Sequence, residues 1–247
     1  MRPAGPGNAV YIQKILLDPD QYPTREYYPF NLPIFQKSLS LSFSSPITFF
    51  IGENGCGKTT LLQAVAIRSG VQIWRETERR RVHPNPFVNK FPDFLRVEWA
   101  GSRVPGIYFG SNYFQFFSEI LDEWAVNDPG QLKYFGGDSL INLSHGQSIL
   151  SYFRKVFSID GIFFLDEPET ALSPKSQVEL VKYLAAVGGD GHAQFFIATH
   201  SPILLACPRA AIFFFDDHAI RSVEYEQTDY YRIYRDFMNQ REKFISK

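Results

Sequence analysis

The chain has 247 residues, of which 45% are hydrophobic and 16% aromatic, and its formal net charge at pH 7 is -1. This composition predicts a folded globular protein and excludes a disordered one, and the balanced charge indicates neither a nucleic-acid nor an anionic-membrane partner. Two cysteines, the lack of a secretory leader and the lack of an apolar run near the ~20 residues that span a bilayer predict a cytoplasmic protein without direct membrane insertion.

The N-terminal part of the chain predicts strands. Residues 9–17 and 39–43 are apolar or alternating runs on either side of a loop rich in Pro and Tyr, which indicates an antiparallel β region. Residues 47–51, ITFFI, form a continuous apolar run that is typical of a strand buried on both faces. The helix that follows is expected to stop at Gly70.

The middle of the chain predicts two more strands and then helices. Residues 93–99 and 106–109 are the strands, and residues 111–158 predict an inserted helical subdomain. The last helix of this subdomain has one apolar face, formed by Ile149, Leu150, Phe153 and Phe157. That face is expected to be buried.

The last third of the chain predicts a return to the sheet. Apolar runs of the parallel-strand type occupy residues 161–167, 193–200 and 210–217. A helix capped by Ser173 is expected from Pro174 to about Val187. Strands that alternate with helices indicate an α/β fold with a core of mostly parallel strands.

Residues 228–246 predict a Thr-capped amphipathic helix. One stripe of this helix is expected to pack onto the domain, and it contains Tyr230, Tyr234, Phe237, Met238 and Arg241.

Residues 52–60, GENGCGKTT, fit the pattern G-x-x-x-x-G-K-[ST] between a buried strand and a helix. Backbone N–H groups of such a loop and the positive end of the helix form an anion site, which predicts nucleotide binding. Lys58 supplies a charge for the β- and γ-phosphates, and the Thr59 hydroxyl is a ligand for Mg²⁺. Other expected nucleotide contacts in the loop are Gly52, Asn54, Gly55, Cys56, Gly57 and Thr60. The helix terminus would favour a Cys56 thiolate, although simple packing accounts better for a cysteine here.

Two further strand ends carry candidate catalytic groups. Asp166 ends the strand GIFFLD, so its carboxylate is expected at the edge of the sheet, where it holds Mg²⁺ directly or through water. Glu167 follows and is the candidate for polarising the attacking water. His200 ends the strand AQFFIATH and is the candidate for contacting the γ-phosphate or that water.

In chain order, residues 52–59, LSHGQ, LDEPE and ATHS resemble the Walker A, signature, Walker B and His-switch motifs of the ABC-type ATPases. The resemblance implies a Mg²⁺-dependent ATPase that forms an ATP-dependent homodimer with two nucleotides between its subunits. It implies that Ser144, Gly146 and Gln147 contact the ATP of the partner subunit. His145 stands where the family more often has glycine.

The resemblance also implies two residues that the sequence leaves open. One is the Q-loop residue that joins the core to the helical part, for which the candidates are Gln115 and Asn112. The other is an aromatic side chain that stacks on adenine, for which the candidates are Tyr27, Tyr28 and Phe30. The whole chain is then expected to be one ABC-type ATPase domain, with a β region and phosphate loop (1–110), a helical subdomain (111–158) and a C-terminal part (159–247).

The segments DEPETALSP and THSP differ from those of transporter ATPases. They resemble the branch that includes chromosome-maintenance, RecF-like and overcoming-lysogenization-defect-type ATPases, and more closely small stand-alone bacterial ATPases. Only 86 positions separate Lys58 from Ser144, which leaves no room for a long coiled coil.

Two alternative functions stay open, and the coupled process is not indicated. One is the ATP-binding subunit of an ABC transporter, and the other is a nucleotide-gated binding module that works with a nuclease, toxin or nucleic acid. A basic cluster at 73–83 fits either a nucleic-acid contact or a solvated face, and the solvated face is favoured. Its arginines are Arg75, Arg79, Arg80 and Arg81.

Overall fold

The computed structural model describes residues 10–37, 39–73, 85–87, 89–110, 145–216 and 219–245. Several expectations fall outside these residues: the first part of the helical subdomain, the Q-loop candidates Gln115 and Asn112, the signature residue Ser144 and the arginines of the basic cluster.

Nine strands are described, in two sheets. In chain order they are β1 (Ile12–Leu17), β2 (Leu39–Ser42), β3 (Ile47–Gly52), β4 (Leu95–Trp99), β5 (Gly106–Gly110), β6 (Gly161–Asp166), β7 (Ala193–Ala198), β8 (Ala211–Phe215) and β9 (Ile220–Val223). The central sheet has the order β5-β6-β7-β3-β8-β9, and all its neighbouring pairs are parallel except β8 and β9. The fold is therefore α/β with a mainly parallel core, as predicted.

The expected N-terminal antiparallel region is confirmed as a separate three-stranded sheet. Its order is β2-β1-β4, so the strand predicted at 93–99 joins this sheet, whereas the strand predicted at 106–109 joins the parallel one. Strand β9, which pairs antiparallel with β8 at the edge of the central sheet, was not predicted because its sequence IRSV has only two apolar residues.

Six α-helices are described. They are α1 (Lys58–Arg68), α2 (His145–Val156), α3 (Pro174–Gly189), α4 (Pro202–Leu205), α5 (Asp229–Asn239) and α6 (Arg241–Ile245). Helix α1 stops before Gly70, which has φ +86° as a helix stop requires. Ser173 caps α3, but this helix continues two residues beyond the predicted Val187. Among the described residues, no helix is both long enough and apolar enough to span a bilayer.

The central strands are buried on both faces. Helices α2, α3 and α4 cover one side of the sheet, and α1 and the antiparallel sheet cover the other. Neighbouring residues of a strand point to opposite faces. Thus Phe163 packs against Phe157 of the segment after α2, with ring centroids 4.9 Å apart, while Phe164 packs against Phe196 on the other side. The predicted apolar face of the α2 segment is buried as expected.

The C-terminal tail differs from its prediction. The expected single helix is broken at Gln240, whose backbone is not helical, and most of the apolar stripe is not covered by the described part of the chain. Tyr234 is 55% exposed and Met238 is 78% exposed. Only the start of α5 packs closely, because Thr228 caps it at the domain surface and Tyr230 points toward the central sheet.

Candidate functional site

The three segments with candidate site residues lie at one edge of the central sheet. Because β3, β6 and β7 are parallel, their carboxyl ends meet, and Asp166 is in register with Ala198. This edge therefore combines the loop after β3, the acids at the end of β6 and the histidine after β7.

The loop after β3 has a backbone that requires glycine. Gly52 and Gly57 have φ values of +145° and +104°, and a Cβ atom at either would lie within 3 Å of Phe215 or Phe35, respectively. The loop runs into α1, whose first residue is the buried Lys58. The Lys58 Nζ donates hydrogen bonds to the carbonyl oxygens of Gly52 and Glu53, both at 2.8 Å. The ammonium group is thereby held within the loop.

Thr59 and Asp166 come together as the sequence predicts. The Thr59 hydroxyl donates to Asp166 Oδ1 at 2.9 Å, and the Tyr108 hydroxyl donates to Oδ2 at 2.8 Å. Gln63 Nε2 in turn donates to Tyr108 Oη at 3.2 Å. Burial raises the pKa of the Asp166 carboxyl although both hydroxyl donors lower it. A partly buried carboxylate beside a hydroxyl at a phosphate loop is a donor set that suits Mg²⁺.

Glu167 has an unusual backbone conformation that turns the chain at the end of β6. Its φ is 47°, in the left-handed region, where a residue other than glycine is strained. The Glu167 N–H donates to the carbonyl oxygen of Ala198 at 2.9 Å, which ties this turn to β7. The Glu167 side chain is 40% exposed, and its Oε1 is 3.7 Å from Nε2 of His200.

His200 is held by two side chains that sequence reasoning did not assign to the site. Its backbone N–H donates to Glu169 Oε1 at 2.6 Å, and its Nδ1 is 2.9 Å from the hydroxyl of Tyr230. That hydroxyl also donates to the carbonyl oxygen of Gly52 at 2.9 Å. Burial, followed by the charge of Lys58, lowers the pKa of His200.

The other predicted loop residues differ in their exposure. Asn54 and Gly55 are exposed, and Cys56 is half-buried. Burial is the largest influence on Cys56 and raises the pKa of its thiol, although the charge of Lys58 lowers it, which agrees with the favoured interpretation of simple packing.

The structure separates the three aromatic candidates for adenine stacking. Phe30 is fully buried in the core and is excluded as a stacking residue in this conformation. Tyr27 and Tyr28 are both 47% exposed, and the Tyr28 hydroxyl hydrogen-bonds the hydroxyl of Thr60, directly beside the loop. Tyr28 is therefore the better placed of the two.

Two of the three signature residues fall within the described chain. Gly146 and Gln147 lie in the first turn of α2, and the Gln147 side chain is exposed. Ser144 immediately precedes the described helix and lies outside the described residues.

The sheet order and the glycine-rich loop define a P-loop nucleoside triphosphatase fold. The chain matches an AAA domain over residues 30–67, and over residues 146–206 an AAA domain whose description names the AbiEii toxin and type IV TA systems. The structure of CbiO1 from Clostridium perfringens, part of the ABC transporter complex CbiONQ, is similar with a TM-score of 0.53 and 17% identity, over 94% of this chain and 97% of CbiO1.

Two curated relatives resemble parts of the chain. The phosphate import ATP-binding protein PstB of Prochlorococcus marinus is 29% identical over 54% of this chain and 57% of PstB. The DNA replication and repair protein RecF of Leptospira interrogans is 50% identical over 17% of this chain and 12% of RecF. The chain thus spans little more than half of one relative and a small part of the other. Two separate parts of the chain thus match AAA-type P-loop ATPase domains, and its relatives include an ABC transporter ATP-binding protein and RecF.

Proposed function

We propose that this chain is a Mg²⁺-dependent ATPase that closes into a homodimer around two ATP molecules and opens after hydrolysis. The proposal rests mainly on one observation, the meeting of Lys58, the Thr59–Asp166 pair, Glu167 and His200 at one sheet edge. We further propose that it acts in the cytoplasm, as one domain with the three parts given above.

The proposed roles follow from the chemistry of each group. The loop N–H groups and Lys58 bind the phosphates, and Thr59 and Asp166 hold Mg²⁺, which when bound neutralises charge on the phosphate oxygens. Glu167 is proposed to orient and polarise the attacking water. Its position supports this role, because it follows the metal-binding carboxylate directly and its side chain is accessible to solvent.

The proposed dimer uses the start of α2. The N-terminus of a helix attracts anions because its N–H groups are free and its dipole end is positive. Ser144, Gly146 and Gln147 would present this site to the γ-phosphate held by a second subunit. Tyr28, beside Thr60, is proposed to stack on adenine.

Two other functions have specific support. The similarity to PstB and to CbiO1 favours a transporter ATP-binding subunit, which would need a partner with membrane-spanning helices. The AAA-domain match at 146–206, whose description names a toxin, favours a nucleotide-gated module that works with a toxin, nuclease or nucleic acid. The transporter proposal requires a partner that supplies the second half-site or a docking groove, and the module proposal requires slow or absent turnover.

Glu167→Gln is the experiment that tests the main proposal. We expect turnover to fall by roughly 10²- to 10⁴-fold, the range for loss of a general base, while ATP binding persists. Because ATP then stays bound, light scattering should show a dimer with Mg·ATP and a monomer without it.

The control is the same protein with Ser144→Arg, which blocks the proposed contact in trans. Loss of the dimer in this double variant would support the signature role. A monomer in every sample would instead favour a heteromeric complex or a transporter partner. Near-normal turnover in Glu167→Gln would show that Glu167 does not polarise the water. Wild-type protein that binds ATP without turnover would favour the gated module.

A further inference from the structure

The hydroxyl of Tyr230, in the first turn of α5, lies between two groups of the nucleotide site. It is 2.9 Å from the carbonyl oxygen of Gly52, at the start of the phosphate loop, and 2.9 Å from Nδ1 of His200. Tyr230 is separated from Gly52 by 178 positions in the chain. No motif of the phosphate loop, the signature or the strand ends includes this residue.

The hydrogen bonds of the Tyr230 hydroxyl determine which ring nitrogen of His200 carries the proton. The Gly52 carbonyl can only accept a hydrogen bond, so the single proton of the Tyr230 hydroxyl is used there. The Tyr230 oxygen must then accept from His200, whose Nδ1 carries a proton. A neutral imidazole has only one N–H, so Nε2 is left as an acceptor.

The surroundings of His200 favour the neutral ring. Lys58 faces it with a positive charge, while Glu167, Glu53 and Glu169 face it with carboxyl groups and Tyr230 with a hydroxyl. Burial has the largest effect on the ring and, together with Lys58, outweighs the carboxylates, so the pKa of His200 is lowered. The ring is therefore expected to be neutral at pH 7.5.

The second ring nitrogen of His200, Nε2, lacks a hydrogen-bond donor in the part of the chain that the structure describes. Nε2 is buried and has no hydrogen-bond partner among the described residues. It is 3.7 Å from Glu167 Oε1, and both atoms are acceptors when the ring carries its proton on Nδ1. A water molecule has two protons and can donate to two such neighbouring acceptors.

We propose that Tyr230 is a positioning residue that fixes His200 with its proton on Nδ1, so that Nε2 accepts a hydrogen bond from the attacking water. This inference rests on the proposed function, in which Glu167 polarises the attacking water, and it takes up His200 as the candidate for contacting the γ-phosphate or that water. It assigns His200 to the water and not to donation toward the γ-phosphate. It also makes the position of α5 part of the catalytic geometry, because a shift of this helix would release both Gly52 and His200.

The test measures the protonation of the histidine ring directly. Long-range ¹H–¹⁵N NMR at pH 7.5 distinguishes the two neutral forms of imidazole, and His200→Gln identifies the signals of His200 among the five histidines of the chain. Wild-type protein without nucleotide is expected to carry the proton on Nδ1. In Tyr230→Phe, which keeps the aromatic ring, the proton is expected to move to Nε2. Tyr234→Phe removes a hydroxyl one turn further along α5 and should leave the His200 signals unchanged.

Steady-state kinetics give a second readout. Tyr230→Phe is expected to lower kcat by roughly 10²-fold, the lower end of the range for proton-transfer groups, with little change in KM for ATP. Thermal unfolding would verify that the variant is folded. A wild-type His200 protonated on Nε2, or a Tyr230→Phe spectrum identical to wild type, would overturn the proposal. If wild-type protein has no turnover, the proposed ATPase function fails, whereas the NMR result still decides the role of Tyr230.

Discussion

At the scale of single residues, Glu169 is a carboxylate held in an unfavourable environment. Its Oε1 accepts the His200 N–H at 2.6 Å, while Oε2 is buried without a hydrogen-bond partner among the described residues. Burial raises the pKa of Glu169, outweighing the hydrogen bonds that lower it. An acid whose pKa is higher in the folded than in the unfolded state stabilises the fold most when protonated. This contribution is complete below the unfolded pKa, about 4.3, and is lost as pH rises through the folded value.

Glu169→Gln removes this titration and should change how stability depends on pH. The free energy of unfolding of the variant, relative to wild type, is expected to increase as pH rises from about 4 to 7. If an amide proton of the new Gln side chain lacks an acceptor, the difference in stability shifts by the same amount at every pH. Its slope with pH is then unchanged. Urea unfolding of both proteins without Mg²⁺ measures the difference at each pH, and parallel stability curves for the two proteins would contradict the prediction.

The residues of the site divide into those that local sequence predicts and those that it does not. Lys58 and Thr59 are predictable because the loop pattern fixes their positions within nine consecutive residues. Tyr108 and Tyr230 are not, because each reaches the site only through the packing of a separate strand or helix. The available signals were weak: Tyr108 lies near the end of a strand beside the acidic strand, and Tyr230 lies in the first turn of a capped helix.

At the scale of elements, two of the three glycines of the phosphate loop, Gly52 and Gly55, have different requirements. Gly55 has φ +83° but open space around its Cβ position, whereas a Cβ at Gly52 would lie 2.3 Å from the backbone oxygen of Phe215 in β8. Position 55 therefore requires glycine only because of its backbone conformation. Gly52 needs it also because the neighbouring strand is too close.

Replacing each of these glycines by alanine separates the two effects. Gly55→Ala should reduce the free energy of unfolding by about 1 to 2 kcal/mol, the cost of a left-handed alanine. Gly52→Ala should cost roughly 3 kcal/mol, because overpacking against β8 adds to the strain. Urea unfolding without nucleotide compares the two, and equal losses would show that the contact with Phe215 is relieved at little cost.

The main elements were predictable where their apolar pattern is regular. The buried strands β3, β6 and β7 have continuous apolar sequences, which only a covered sheet explains. The tail was harder to predict, since its amphipathic pattern continues past Gln240 although the helix does not. A stripe of apolar residues predicts a helix face, but it does not reveal whether another surface covers that face.

At the scale of the whole molecule, one buried amide joins the two sheets. Gln194 of β7 has no exposed surface, and its side chain bonds both backbone groups of Ile12 in β1. Gln194 Oε1 accepts from the Ile12 N–H at 2.8 Å, and Nε2 donates to the Ile12 carbonyl at 3.0 Å. A second connection, from the Tyr11 hydroxyl to the carbonyl oxygen of His192 at 3.1 Å, is only half-buried.

Gln194→Leu should therefore weaken the coupling between the antiparallel sheet and the parallel core. We expect a loss of about 2 kcal/mol or more, because two buried backbone groups of Ile12 lose a partner that water cannot replace. Tyr11→Phe is the matched comparison and should cost about 1 kcal/mol or less, since its bond lies near solvent. Trp99, in β4, reports the antiparallel sheet by fluorescence once Trp74 and Trp124 are replaced by Phe, while far-UV circular dichroism reports the whole fold.

The two probes should give coincident urea transitions with Gln194 in place, and the Trp99 transition should move to lower urea in Gln194→Leu. This uncoupling would also weaken the packing of the phosphate loop, because Phe35, in the segment between β1 and β2, lies against Gly57. Coincident transitions in the variant would instead mean that the shared apolar core, and not the amide, joins the two sheets. The loss of stability would then be distributed over the whole fold, and the loop would keep its support.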